Sequence, residues 1–315
     1  EAAAAACAVI TALCVGCGAH AAPLVPAFAA AAWPFFQTHP HDALKLADAI
    51  VRCAARASVG GAATSAAAAE LVNRLATAMT VVHNHTSMDD LLEEQTVRAE
   101  WFGVLSAWAS VGSLDGANGG GDGKIVEAEW AMGLAASLAP SLPLLLMALW
   151  QVAHLRPPPE ALETQQGVLA LKQGLHLLQR ALPSSPVGSA ILGALRGSPS
   201  SSATGNAHAA SVKPPASELV ETLLVGLGSW YPSWILSDVV GALWALRQAN
   251  EADFSSWLHL ALATDGVPRH GITPEQKAAY ARQLTVEAKS KSAFKASLKQ
   301  CCGGKKKNTA GTPPV

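Results

Sequence analysis

Few residues in this chain have the types and spacing that chemistry needs. Cys14 and Cys17 enclose Val15 and Gly16, the spacing of a redox dithiol or of half a zinc site. Zinc needs a second ligand pair and a redox dithiol needs a βαβ setting. Neither is present, so these cysteines read as structural residues of an alanine-rich helix. His39 and His41 flank Pro40, and His83 and His85 flank Asn84. Both pairs fall at predicted helix ends without a third ligand, and they read as turn histidines. Residues 118–129, NGGGDGKIVEAE, partly fit the calcium-loop template, with Asp122 at position 5, Gly123 at 6, Ile125 at 8 and Glu129 at 12. Asn118 at position 1 is an amide and Gly120 at position 3 supplies no ligand, so a glycine-rich connection without calcium is expected. Ile125 also stands where a phosphate loop needs Ser or Thr. No Ser/His/Asp set or carboxylate pair assembles at helical spacing, and Asp238 reads as a helix-start residue. The expectation is a chain without catalytic residues, cofactor or metal.

The elements that would position any site are helices. Hydrophobic residues make up 50% of the 315 and charged residues 14%, with a formal net charge of −1. That composition is far from the disordered class, carries no strong field toward nucleic acid, and favours an all-α fold through alanine and leucine. Six cysteines in so long a chain fit a reducing compartment. Residues 2–38 and 131–153 contain no Asp, Glu, Lys or Arg. Internal prolines and the absence of basic flanks make them buried helices of a stack, with no membrane insertion expected.

Taken in order, helices are predicted over 2–19, 24–37, 42–57, 64–82 and 87–109. A glycine-rich loop follows at 111–124, then helices at 125–138, 143–155, 160–182 and 217–228. Leu44, Ala47, Ile50 and Val51 make one apolar stripe, and Val168, Leu171, Leu175, Leu178 and Leu182 make another. Residues 198–215, rich in Ser, Ala, Gly and Pro, read as a disordered insertion. The helix pairs recur about every 40–47 residues, the spacing of HEAT or armadillo arrays, in which only a neighbouring pair can cover each apolar face. The array is expected over 1–300, with 301–315 a basic flexible tail. Lys289, Lys291, Lys295, Lys299 and Lys305 to Lys307 have only Glu287 as a nearby acid and read as a solvated face and tail. Cys301 and Cys302 beside these lysines are candidates for acylation, with no terminal prenylation box.

Residues 230–298 carry the densest pattern. Val239, Val240, Leu243 and Trp244 line one predicted helix, and Phe254, Trp257, Leu258, Ala261 and Leu262 line the next, capped by Asn250. A third begins at a Thr273/Gln276 capping box with Pro274 in its first turn. This stretch resembles the C-terminal end of the transportin-SR and importin-thirteen branch of the importin-β (karyopherin-β) family. The matching residues are Pro232, Asp238, Leu243, Trp244, Gln248, Phe254, Trp257, Leu258, Thr273, Gln276, Glu287, Phe294 and Leu298. Ser237 replaces a family proline, and Cys301 to Gly304 replace an aromatic-and-arginine ending. The resemblance implies an α-solenoid of HEAT-like repeats, the C-terminal part of a longer nuclear transport receptor shuttling between nucleus and cytoplasm. It implies protein cargo, serine/arginine-rich splicing factors among the candidates, together with nucleoporins and Ran-GTP. Ran-GTP would be held mainly by N-terminal repeats. A generic helical-repeat scaffold without Ran binding is the second reading, and a multi-spanning membrane protein is the third.

Overall fold

The structure is a computed structural model that describes residues 2–56, 61–81, 87–111, 141–156, 158, 160–161, 166–182, 186–197 and 213–302. Among the described residues there are thirteen α-helices and no strand, so the all-α expectation holds. The chain divides into two compact units, Glu1–Pro215 and Ala216–Val315, where the sequence reading ran one array over 1–300.

The first unit contains α1 (Ala2–Cys17), α2 (Val25–Thr38), α3 (Pro40–Arg56), α4 (Gly61–Met79), α5 (Met88–Val111), α6 (Leu142–His154), α7 (Leu169–Ala181) and α8 (Pro186–Arg196). α1 ends at Cys17, before Pro23 as expected, and a 3-10 segment, Gly18–Leu24, leads from it into α2. α2 and α6 start without a side-chain cap but with proline in the first turn, where its missing N–H costs nothing. Packing runs in two rows: α1 on α3, α2 on α4, α3 on α5, α4 on α6, α5 on α7 and α6 on α8. Leu44, Ala47, Ile50 and Val51 are buried as predicted, and so is the stripe from Val168 to Leu182. Of the helix expected over 160–182, residues 160 and 161 are helical, Gln166–Val168 take 3-10 geometry and α7 runs on from Leu169, while residues 162–165 lie outside the described residues. Among the described residues no helix is long and apolar enough to cross a membrane.

The second unit contains most of α9 (Pro215–Ser229), with α10 (Leu236–Ala249), α11 (Glu251–Ala263), α12 (Pro274–Arg282) and α13 (Lys291–Cys302). Pro215, placed by sequence in the insertion, opens α9, whose buried residues include Leu219, Val220, Leu223 and Leu224. Asn250 caps α11 by accepting from the Asp253 N–H at 2.9 Å. Thr273 and Gln276 form the capping box of α12. The third helix of the sequence reading is in fact two. After Arg282 the chain widens into a π-helical segment, Gln283–Glu287, and α13 restarts with Ser290 accepting from the Ala293 N–H at 3.2 Å. Arg247, 7% exposed, stabilises that break. Its guanidinium donates to the carbonyls of Ala288 at 2.6 Å and Thr285 at 2.7 Å and to Glu251 at 2.9 Å, while lying over the Trp244 ring. Carbonyls released by the wide turn thus find charged donors.

Candidate partner-binding groove

Cys14 and Cys17 point apart: Cys14 is buried against α3 and Cys17 is exposed. Burial first, and the neighbouring Cys53 thiol second, push the Cys14 thiol up to about 12. Cys53 in turn donates to the Gly18 carbonyl at 3.0 Å. A thiol so protonated is a poor nucleophile, which suits the structural reading. His83, His85 and residues 118–129 lie outside the described residues. Among the described residues no cluster of three or more His, Cys, Asp or Glu is arranged to hold a metal.

The other histidine pair splits. His39 bonds its neighbour Thr38 at 2.8 Å. His41 reaches across to α5, where its Nδ1 meets Glu100 at 2.7 Å and its Nε2 meets Glu93 at 2.8 Å. A carboxylate at each ring nitrogen favours the protonated imidazole, the form that donates from both nitrogens. The Glu100 bond raises its pKa most, burial opposes, and Glu93 adds to the rise. His41 is thus an ionic tie between α3 and α5, more than a turn residue.

Glu93 also stands on the edge of an open groove of about 520 Å³. Trp33 and Phe36 of α2 are stacked with centroids 6.0 Å apart, and with Met79 and Val97 they supply the apolar floor. Asp90, Glu93 and Glu94 supply carboxylates along one side. Arg98 lies beneath them, 5% exposed. It pairs with Glu94 and donates to Gln151 at 3.1 Å and to the Val81 carbonyl at 3.0 Å. Gln151 closes the network by donating to the Thr80 carbonyl at 3.1 Å. The end of α4, the middle of α5 and the end of α6 are thereby fixed under the groove, so its floor is preformed. Its volume falls in the range of ligand sites, and its lining is mostly apolar with carboxylates at one side.

In the second unit the sequence-singled lysines Lys289, Lys291, Lys295 and Lys299 are all exposed, with Lys295 donating to Ser237 at 2.7 Å. Asp238 sits in the first turn of α10, as read. Cys301 and Cys302 are not part of a flexible tail: they end α13 and are 0% and 5% exposed. Contact with Cys301, then burial, raises the Cys302 thiol far above the usual range, so acylation there would require the helix end to open. The groove itself escaped sequence reading. Its local signals were the aromatic cluster Trp33 to Phe36 and the acid run from Asp89 to Glu94. No protein-family model matches the chain, and no curated protein matches it.

Proposed function

We propose that this chain is a helical-repeat protein that works by holding another protein, with no bond chemistry. The groove over Trp33 and Phe36 carries this reading. An aromatic floor beside carboxylates suits a peptide segment that presents apolar side chains next to cationic ones. The two-row packing of α1 to α8 supports a repeat stack, in which each helix pair covers its neighbour. Affinity capture from a cell extract tests it, comparing the wild type with a Trp33→Ala/Glu93→Lys variant and a Lys291→Glu surface control. Partners lost only from the groove variant are expected. An unchanged set across all three rejects the groove as the binding surface.

The finer reading rests on the likeness of residues 230–298 and makes the chain part of a nuclear transport receptor. Six of the matching residues, Leu243, Phe254, Trp257, Leu258, Phe294 and Leu298, are buried in the second unit, as a repeat-core motif requires. On this reading the receptor carries cargo, serine/arginine-rich splicing factors among the candidates, past nucleoporins between cytoplasm and nucleus. Ran-GTP, bound mainly by N-terminal repeats, exchanges with import cargo. Pull-downs with GTP- and GDP-loaded Ran decide it. A preference for the GTP form in the longest form of the protein supports the receptor, and equal or no retention leaves the scaffold reading.

A further inference from the structure

We propose that the core of the Glu1–Pro215 unit holds one structural water between Trp101 and Ser141. Trp101 on α5 is 1% exposed, and its buried Nε1–H meets no acceptor among the described residues. Buried N–H groups without a protein acceptor are uncommon, and ordered water is their usual partner. Trp101 and Ser141 line the same cavity of about 20 Å³. Its other walls are apolar side chains, among them Val72 and Ala76 of α4, Leu145 of α6 and Ile191 of α8. One water needs roughly 10–15 Å³ of such space, so the cavity admits a water but little more. A hydrocarbon guest would be too large and would leave the indole N–H unpaired.

The hydrogen bonds close in one direction. Ser141 is 4% exposed, and its hydroxyl donates to Asn73 Oδ1 on α4. Its oxygen lone pairs therefore remain as acceptors. The water accepts from Trp101 Nε1–H and donates to Ser141 Oγ, which passes the chain on to Asn73. That gives it two polar partners, the lower end of what buried waters have. A polar seam thus joins α4, the start of α6 and α5 inside an otherwise apolar layer, where it fixes their mutual register. This inference stands apart from the groove and from any partner.

The test uses water itself as the probe. In the full chain, the indole N–H of Trp101, assigned by its loss in Trp101→Phe, should show a nuclear Overhauser cross-peak to a long-lived water, and Ser141→Ala should abolish it. A double-mutant cycle of the same two substitutions should show coupling of about fivefold in the unfolding equilibrium constant, the scale of one net hydrogen bond. No cross-peak in the wild type overturns the proposal, as does strict additivity of the two substitutions. If a variant fails to fold, the wild-type cross-peak alone decides.

Discussion

In the first unit, α1 to α4 approach one another through small groups: Ala32, Ala43, Ala47, Cys53 and Ala76 are all almost fully buried. In the second unit large rings do the same work. Phe294 lies 5.6 Å from the Trp244 ring and 6.1 Å from the Phe254 ring, with Trp257 and Leu258 buried on the same helix as Phe254. Small-residue packing brings backbones close and leaves no room for additions. Ring packing tolerates some backbone variation but depends on a few large side chains. Outside the buried Trp101–Phe102 pair of α5, close-packed small-residue contacts of the first unit and ring contacts of the second should therefore fail under opposite kinds of substitution.

The largest expected effect is a deletion in the second unit. Phe294→Ala removes a fully buried ring from the α10–α11–α13 core and should cost about 3–5 kcal/mol in denaturant unfolding. It should leave the unfolding of the first unit unchanged. An addition should be the damaging change in the first unit. A Cβ on Gly188 of α8 would stand 1.9 Å from the Ala181 carbonyl oxygen. Gly188→Ala should thus cost about 1–3 kcal/mol, despite the roughly 1 kcal/mol that alanine gains over glycine in a helix. Gly193, five residues on in the same helix, has nothing among the described residues within 4 Å of the added carbon. Gly193→Ala should therefore stabilise by about 0.5–1 kcal/mol. Thermal melts of the two variants check whether the sign reverses; two stabilising alanines would remove the basis of the contrast.

A cap is a smaller contribution. Asn250→Ala should cost about 1 kcal/mol, read from the shift in denaturation midpoint, while Asn250→Asp or Ser should restore most of it. The His41 tie should be weakest, because Glu93 is 61% and His41 33% exposed and water screens the pair. Its sign is fixed all the same. The folded pKa is raised, so the native state binds this proton more tightly than the unfolded chain does. The contribution is full below the ordinary histidine value of about 6.5 and fades as pH rises through the raised folded value. Comparing wild type with His41→Gln, the stability difference should be larger at about pH 6 than at about pH 9. A difference that grows with pH would contradict the clamp.

What the sequence made legible follows from range. Asn250 with Asp253, and Thr273 with Gln276, are partners three residues apart, and the stripes in α3, α7 and α11 repeat within one helix. All of these were readable. The break between α12 and α13 was hidden because the side chain that stabilises it, Arg247, bonds carbonyls 38 and 41 residues away. From sequence, Arg247 is simply a charge near the end of an amphipathic helix. His41 finds its carboxylates 52 and 59 residues on, beyond the reach of a local pattern, which shows only a histidine beside Pro40. The groove combines ends of α2 and α4 with the start of α5, and only the fold brings Trp33 beside Glu93. Ser290 in the run Lys289 to Phe294 was the one local sign that a new helix begins.

The proposal that a protein partner sits in the groove of the first unit, with the second unit's large buried rings as scaffold, is tested most directly by hydrogen–deuterium exchange of the full chain, alone and bound to the most abundant captured partner. Slowed exchange is expected in residues 33–40, 78–81 and 90–98, with residues 216–302 unchanged. Slowing confined to residues 216–302, with the groove segments unaffected, would contradict it.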